Sequence, residues 1–94
     1  MSAENIDVNL EALKYAAYSN ATSKEGIDES IKAINIIINM YDLNAKFARG
    51  VLADASDDHP TKPVLLATME THEKRCVDLK HCISILRVMR KKYE

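Results

Sequence analysis

Apolar residues recur through the middle of the chain at alternating steps of four and three: Ile27, Ile31, Ile34, Ile38, Tyr41, Ala45, Ala48, Leu52 and Ala55. Such steps hold side chains on one stripe of an α-helix, at a mean period of about 3.5 residues. A second ladder follows Pro60 and Pro63: Leu65, Met69, His72, Cys76, Leu79, Ile83, Leu86, Arg90 and Tyr93. Two matched seams joined by a short, proline-marked turn predict an antiparallel helical hairpin. Ahead of them, Ile6, Leu10, Leu13 and Ala17 form a shorter stripe. The pattern therefore predicts an all-α, three-helix bundle-like domain over residues 1–94. Its helices span about 5–19, 23–55 and 62–93, and oligomerisation completes its burial.

Local signals place the ends. Asn5 suits an N-cap, and Asp7 lies near the positive end of the first helix. Asn20 and Ala21 form a connector. Thr22-Ser23-Lys24-Glu25 reads as a capping box, with Thr and Glu three apart. Gly50 interrupts the second helix, where it permits a bend or a close helix contact at a cost of about 1 kcal/mol against Ala. Asp54, Asp57 and Asp58 disfavour further helix, so Ser56 to Lys62 is read as loop. Thr61 caps the third helix, Pro63 fits its first turn, and Arg87, Arg90, Lys91 and Lys92 match its negative end. An antiparallel pairing of the ladders sets Ala55 against Leu65, Ala48 against His72, Ala45 against Cys76, Tyr41 against Leu79 and Ile34 against Leu86.

Apolar surface is left over. Ile36, Ile37 and Ile38 are consecutive, so that section of helix two is apolar on nearly every side. Ile37, Met40, Phe47 and Val51 make another stripe, and helix three adds Cys82, Ile85, Val88 and Met89. A helix that is apolar all round is buried all round. Self-association or a protein partner is expected. The competing reading folds helix one, with Tyr15 and Tyr18, over the excess to close a monomeric bundle.

Composition narrows the core and the partners. The chain has 94 residues, one Phe, no Trp and four Tyr, so its core is aliphatic. A net charge of -1 gives no general attraction to nucleic acid or anionic membranes. No stretch approaches the roughly 18 apolar residues of a membrane span, and Met-Ser-Ala-Glu-Asn carries no export signal. Asn20-Ala21-Thr22 matches a glycosylation sequon and is read as coincidence. Cys76 and Cys82 stand about 240° apart around one helix, so they cannot pair with each other. Unpaired cysteines of this kind fit a reducing compartment, and a cytoplasmic location is expected.

Candidate chemistry is sparse. His72 and Cys76, at i and i+4, have zinc-ligand spacing, but two more ligands are missing unless an oligomer supplies them. A polar core pair is the expected role. Asp54, Asp57, Asp58 and His59 lack the alternating oxygen pattern of a calcium loop. Neither Glu70 nor Glu73 has a His three residues on, so no di-iron motif forms, and Asp78 with His81 is an isolated pair. A thiolate at Cys76 would need an exposed, activated setting, whereas its seam position predicts burial. No catalytic residue, metal site or cofactor is assigned.

The leading expectation is a non-enzymatic helical protein that self-associates and engages a protein partner as an adaptor, chaperone or inhibitor does. The contact residues are Ile37, Met40, Phe47, Val51, Ile85 and Met89. The alternative is an oligomeric binder or sequestering protein for a small anionic ligand such as a nucleotide. Lys14, Tyr15, Tyr18 and Lys24 would hold it by stacking and charge beside the start of helix two.

Overall fold

The computed structural model describes the backbone of residues 3–55 and 58–94 and the side chains of residues 9–55 and 58–94. The side-chain roles expected of Asn5, Ile6 and Asp7, and the loop residues Ser56 and Asp57, lie outside the described residues. Three helices account for nearly all of the rest: α1 (Ala3–Ser19), α2 (Lys24–Asp54) and α3 (Lys62–Arg90), followed by a 3-10 turn at Lys91–Tyr93. No strand occurs among the described residues, and α2 and α3 pack as a hairpin.

Both ladders face inward. All nine residues of the α2 ladder are buried or half-buried, as are eight of the nine on α3. Tyr93 is the exception. It lies in the 3-10 turn at Lys91–Tyr93, none of whose residues is buried.

Contacts divide the chain into two compact units: Met1–Ile34 with His81–Glu94, and Asn35–Lys80. The first contains α1, the start of α2 and the end of α3. Its core is Leu10, Ala17, Ala21, Ile27, Ile34, Cys82, Ile83 and Leu86. The junction between α1 and α2 is tightly specified. Ser23 is the cap, its hydroxyl accepting the Gly26 N–H at 3.0 Å, a contact worth about 1 kcal/mol. Thr22 is one residue too early for that role, so the expected Thr22–Glu25 capping box is replaced by a Ser23–Gly26 contact. The Asn20 side-chain amide donates to the Gly26 carbonyl at 3.3 Å. A Cβ on Gly26 would overlap the backbone oxygen of Asn20. Gly26 is there for close approach, since no residue among those described has a positive φ. Beside this junction, Arg90 donates to both carboxylate oxygens of Asp28, at 2.6 and 3.3 Å, and to Glu94 at 2.8 Å.

The second unit holds the turn and the two helix arms beside it. Ile38, Ala45, Ala48, Cys76 and Leu79 are buried between the arms, together with Arg75. Tyr41 and His72 lie ring to ring at 5.3 Å, with the Arg75 guanidinium 5.9 Å from the Tyr41 centroid. The Cys76 thiol donates to the Ile38 carbonyl at 3.6 Å, and Arg49 pairs with Glu73. These contacts add to the expected layers. His72 meets Tyr41 and the Cys76 thiol meets the Ile38 carbonyl, each seven residues from the partner the ladder gave it, while Arg49 and Glu73 flank the expected Ala48–His72 layer. A repeating seam defines the face and leaves the register open.

The turn and Gly50 differ from expectation in detail. The Thr61 hydroxyl lies 2.7 Å from His59 Nδ1, which also accepts the Thr61 N–H at 3.2 Å. Thr61 thus turns back to the loop, and its carbonyl accepts the Leu65 N–H at 3.0 Å to start α3. Gly50 has nothing within 4 Å of where a Cβ would stand, so no close helix contact uses it.

Candidate interaction surface

α2 bears a second apolar seam on the face away from α3. Ile36, Met40, Leu43 and Phe47 are 57, 59, 68 and 74% exposed, and Val51 is exposed beside them. Their steps of four, three and four match those of the buried ladder. Leu43 and the buried Ala45 are about 200° apart around the helix, so the two seams stand back to back. Each is a two-in-seven stripe of the kind that receives another helix.

The expected contact residues fall in different settings. Met40, Phe47 and Val51 lie on this exposed face, whereas Ile37 is half-buried at its edge. Ile85 is exposed and Met89 half-buried, both in the other unit. Ile36 and Leu43, which the expected contact set did not include, are exposed on the same stripe as Met40 and Phe47, at the spacing 36–40–43–47.

The flanks of the seam carry little charge. Asn39 and Asn44 border it, and Lys46 is held by Asp42 at 3.1 Å. On α3 of the same unit, Val64, Leu66 and Val77 are exposed. Glu70, Glu73 and Lys74 interrupt the shallow groove that includes Val77. The α2 seam is the longer uninterrupted apolar stripe of the two.

The four residues considered for an anionic ligand are distributed along α1 and the start of α2. Lys14 binds Glu11 at 2.6 Å, Tyr15 is 75% exposed, Tyr18 is half-buried and Lys24 is exposed. The hollow between α1 and α2 is lined instead by Leu13, Ala16, Ala17, Asn20, Ser30, Ala33 and Ile34.

His72 and Cys76 are seam residues. Desolvation, with a smaller contribution from the Arg75 cation, lowers the His72 pKa. Its Nδ1 is buried with no hydrogen-bond partner among the described residues. Burial pushes the Cys76 thiol up; Asp42 and Glu73 add to that, and Lys80 opposes it. A raised thiol is the opposite of an activated nucleophile. Both cysteines are free and buried. Among the described residues, no three His, Cys, Asp or Glu side chains gather to hold a metal, and no helix is long and apolar enough to cross a membrane.

No protein-family model, no curated protein and no solved structure matches the chain.

Proposed function

We propose that this chain is a non-enzymatic protein-binding module that presents the outer seam of α2 to an apolar helical face, and that it self-associates. One observation carries the reading: Ile36, Met40, Leu43 and Phe47 form a heptad-spaced stripe open to solvent, back to back with the seam that already holds α3. Exposing four large apolar side chains in a line is costly in a monomer. A helix laid into the groove offsets that cost and gains knobs-into-holes packing. The free, buried cysteines fit a reducing compartment such as the cytoplasm.

Phe47→Asp tests the reading, because Phe47 is exposed and its replacement leaves the hairpin core untouched. The wild type assembles above its single-chain mass, binds an amphipathic peptide with a heptad apolar stripe, or does both. The variant loses these properties and keeps its far-ultraviolet helical signal. A wild type that does neither, or a variant that behaves like the wild type, overturns the reading.

The exposure of Tyr15 favours a second reading, in which an aromatic anion stacks on Tyr15 and Tyr18 beside Lys14 and Lys24. Calorimetric titration with a nucleotide panel checks it. Binding that disappears in Tyr15→Ala and Lys24→Ala without a change of mass supports it; absence of heat with every member removes it.

A further inference from the structure

We infer that the helix received by this seam is α2 of a second copy, laid antiparallel, with Ile36 against the second copy's Phe47 and Met40 against the second copy's Leu43. This rests on the reading of the α2 seam as an interaction surface and names its occupant.

Spacing comes first. Seams with a four-three-four pattern interlock with seams of the same pattern, and a second copy brings one by construction. In a two-fold dimer the same patch serves both sides, so each pairing occurs twice. The central contacts are then all apolar, with a large ring on a branched aliphatic chain and a flexible thioether on leucine.

Direction and register follow from what the alternatives bring together. Moving one heptad along the antiparallel alignment sets Ile36 against Asp54, and moving the other way sets Phe47 against Glu29. Either shift buries a carboxylate against an apolar side chain. A parallel, in-register dimer also keeps the four layers apolar but aligns the two helix dipoles, which is unfavourable. Among the antiparallel alignments, Ile36–Phe47 is the one that keeps the stripe apolar from Ile36 to Phe47.

Charge on the flanks permits the approach. Lys46 is the one charged residue immediately beside the exposed stripe between Ile36 and Val51, and Asp42 already holds it. The antiparallel alignment brings Lys46 near the second copy's Asn39, and like charges come level only outside the four apolar layers, where Glu29 faces the second copy's Asp54.

Area bounds the strength. Four large side chains, at no more than about 150–250 Å² each and only 57–74% exposed, offer at most roughly 600 Å² per copy. Two copies bury at most roughly 1,200 Å², the lower bound of stable interfaces. The dimer is therefore expected to be weak and reversible.

Sedimentation equilibrium on Phe47→Glu, Ile36→Lys and their equimolar mixture tests the pairing. Alone, each variant weakens the dimer at least tenfold, since both of its Ile36–Phe47 contacts now meet a charge. Mixed, the variants recover dimer mass, because the antiparallel pairing joins the two new charges at one end and restores a native pair at the other. A parallel dimer brings each new charge against an apolar residue and shows no recovery. If either variant loses its helical signal, Leu43→Glu and Met40→Lys replace the pair by the same logic. Monomeric variants without recovery overturn the antiparallel pairing. A wild type that stays monomeric while its seam binds an amphipathic peptide overturns the second copy alone. A dimer unaffected by all four substitutions overturns both the inference and the reading beneath it.

Discussion

α2 is built differently in the two units. In the three-helix unit it shows Gly26, Ser30 and Ala33, small residues spaced four and three apart, and Ser30 and Ala33 line the hollow shared with α1. In the two-arm unit it shows Met40, Phe47 and Val51, all exposed. Small side chains let a helix approach closely, whereas large ones in a heptad stripe fill the gap to a helix farther away. α1 has 17 residues against the 31 of α2, so it is too short to run along the whole of that helix. Small residues on α2 mark the stretch that shares a hollow with α1, and large exposed ones mark the stretch in the two-arm unit.

Substitution in the two cores tests this difference most strongly. Leu86 in the three-helix unit and Leu79 in the two-arm unit are both fully buried. Leu86→Ala is expected to cost about 3–5 kcal/mol and Leu79→Ala about 2–3, since an arm with an open face relaxes around a cavity more readily. Urea unfolding midpoints give the comparison. Equal costs, or a larger cost at Leu79, would remove the distinction between the units.

The glycines of α2 give a smaller effect with opposite signs. Gly26→Ala forces a methyl group onto the Asn20 carbonyl and is expected to destabilise by about 1–3 kcal/mol. Gly50→Ala meets open space and is expected to stabilise by about 0.5–1 kcal/mol through helix propensity alone. Thermal unfolding of the two variants decides it, and shifts of the same sign would show that one of the environments is misassigned.

Much of this arrangement was legible beforehand because helix and hairpin formation depend on repeating local patterns. The two ladders and the shorter stripe ahead of them located the three helices, and the ladders located the seam that α2 and α3 share. They did not specify which side chains touch across it; Tyr41 meeting His72 depends on tertiary contacts. The cap slipped by one residue because Thr22 and Ser23 are both good caps, and the choice between them depends on the path out of α1. Cys82 was counted with the surplus apolar surface, yet it is 1% exposed. Cys82 belongs to the core of the three-helix unit, which the two ladders alone do not define. The run Ile36-Ile37-Ile38 leaves the outer stripe ambiguous, because Ile36 and Ile37 are both close to the line through Met40 and Phe47.

The smallest expected effect is in pH dependence, and it again separates the units. The folded His72 pKa is lowered, so the unfolded chain binds protons more readily. Its contribution to stability is full above the ordinary value of 6.5 and declines as pH falls below it, levelling off under the folded pKa. Asp28 is also lowered, chiefly by its hydrogen bond from Arg90. That contribution stays full above the ordinary 3.8 and disappears as pH falls through the lower folded value. Melting temperatures should therefore fall first in mildly acidic buffer, a step absent from His72→Gln. A second fall at more acidic pH should be reduced in Asp28→Asn. A mild-acid step that persists without His72 would assign it elsewhere.

Amide chemical shifts followed on dilution test the central claim most directly, because they show where the chain touches its own copies. Concentration-dependent shifts centred on residues 36–51, with residues 9–34 of the three-helix unit nearly unchanged, are the predicted result. Shifts centred on α1, or a spectrum that responds neither to dilution nor to an added amphipathic peptide, would contradict the assignment of the outer α2 seam as the interaction surface.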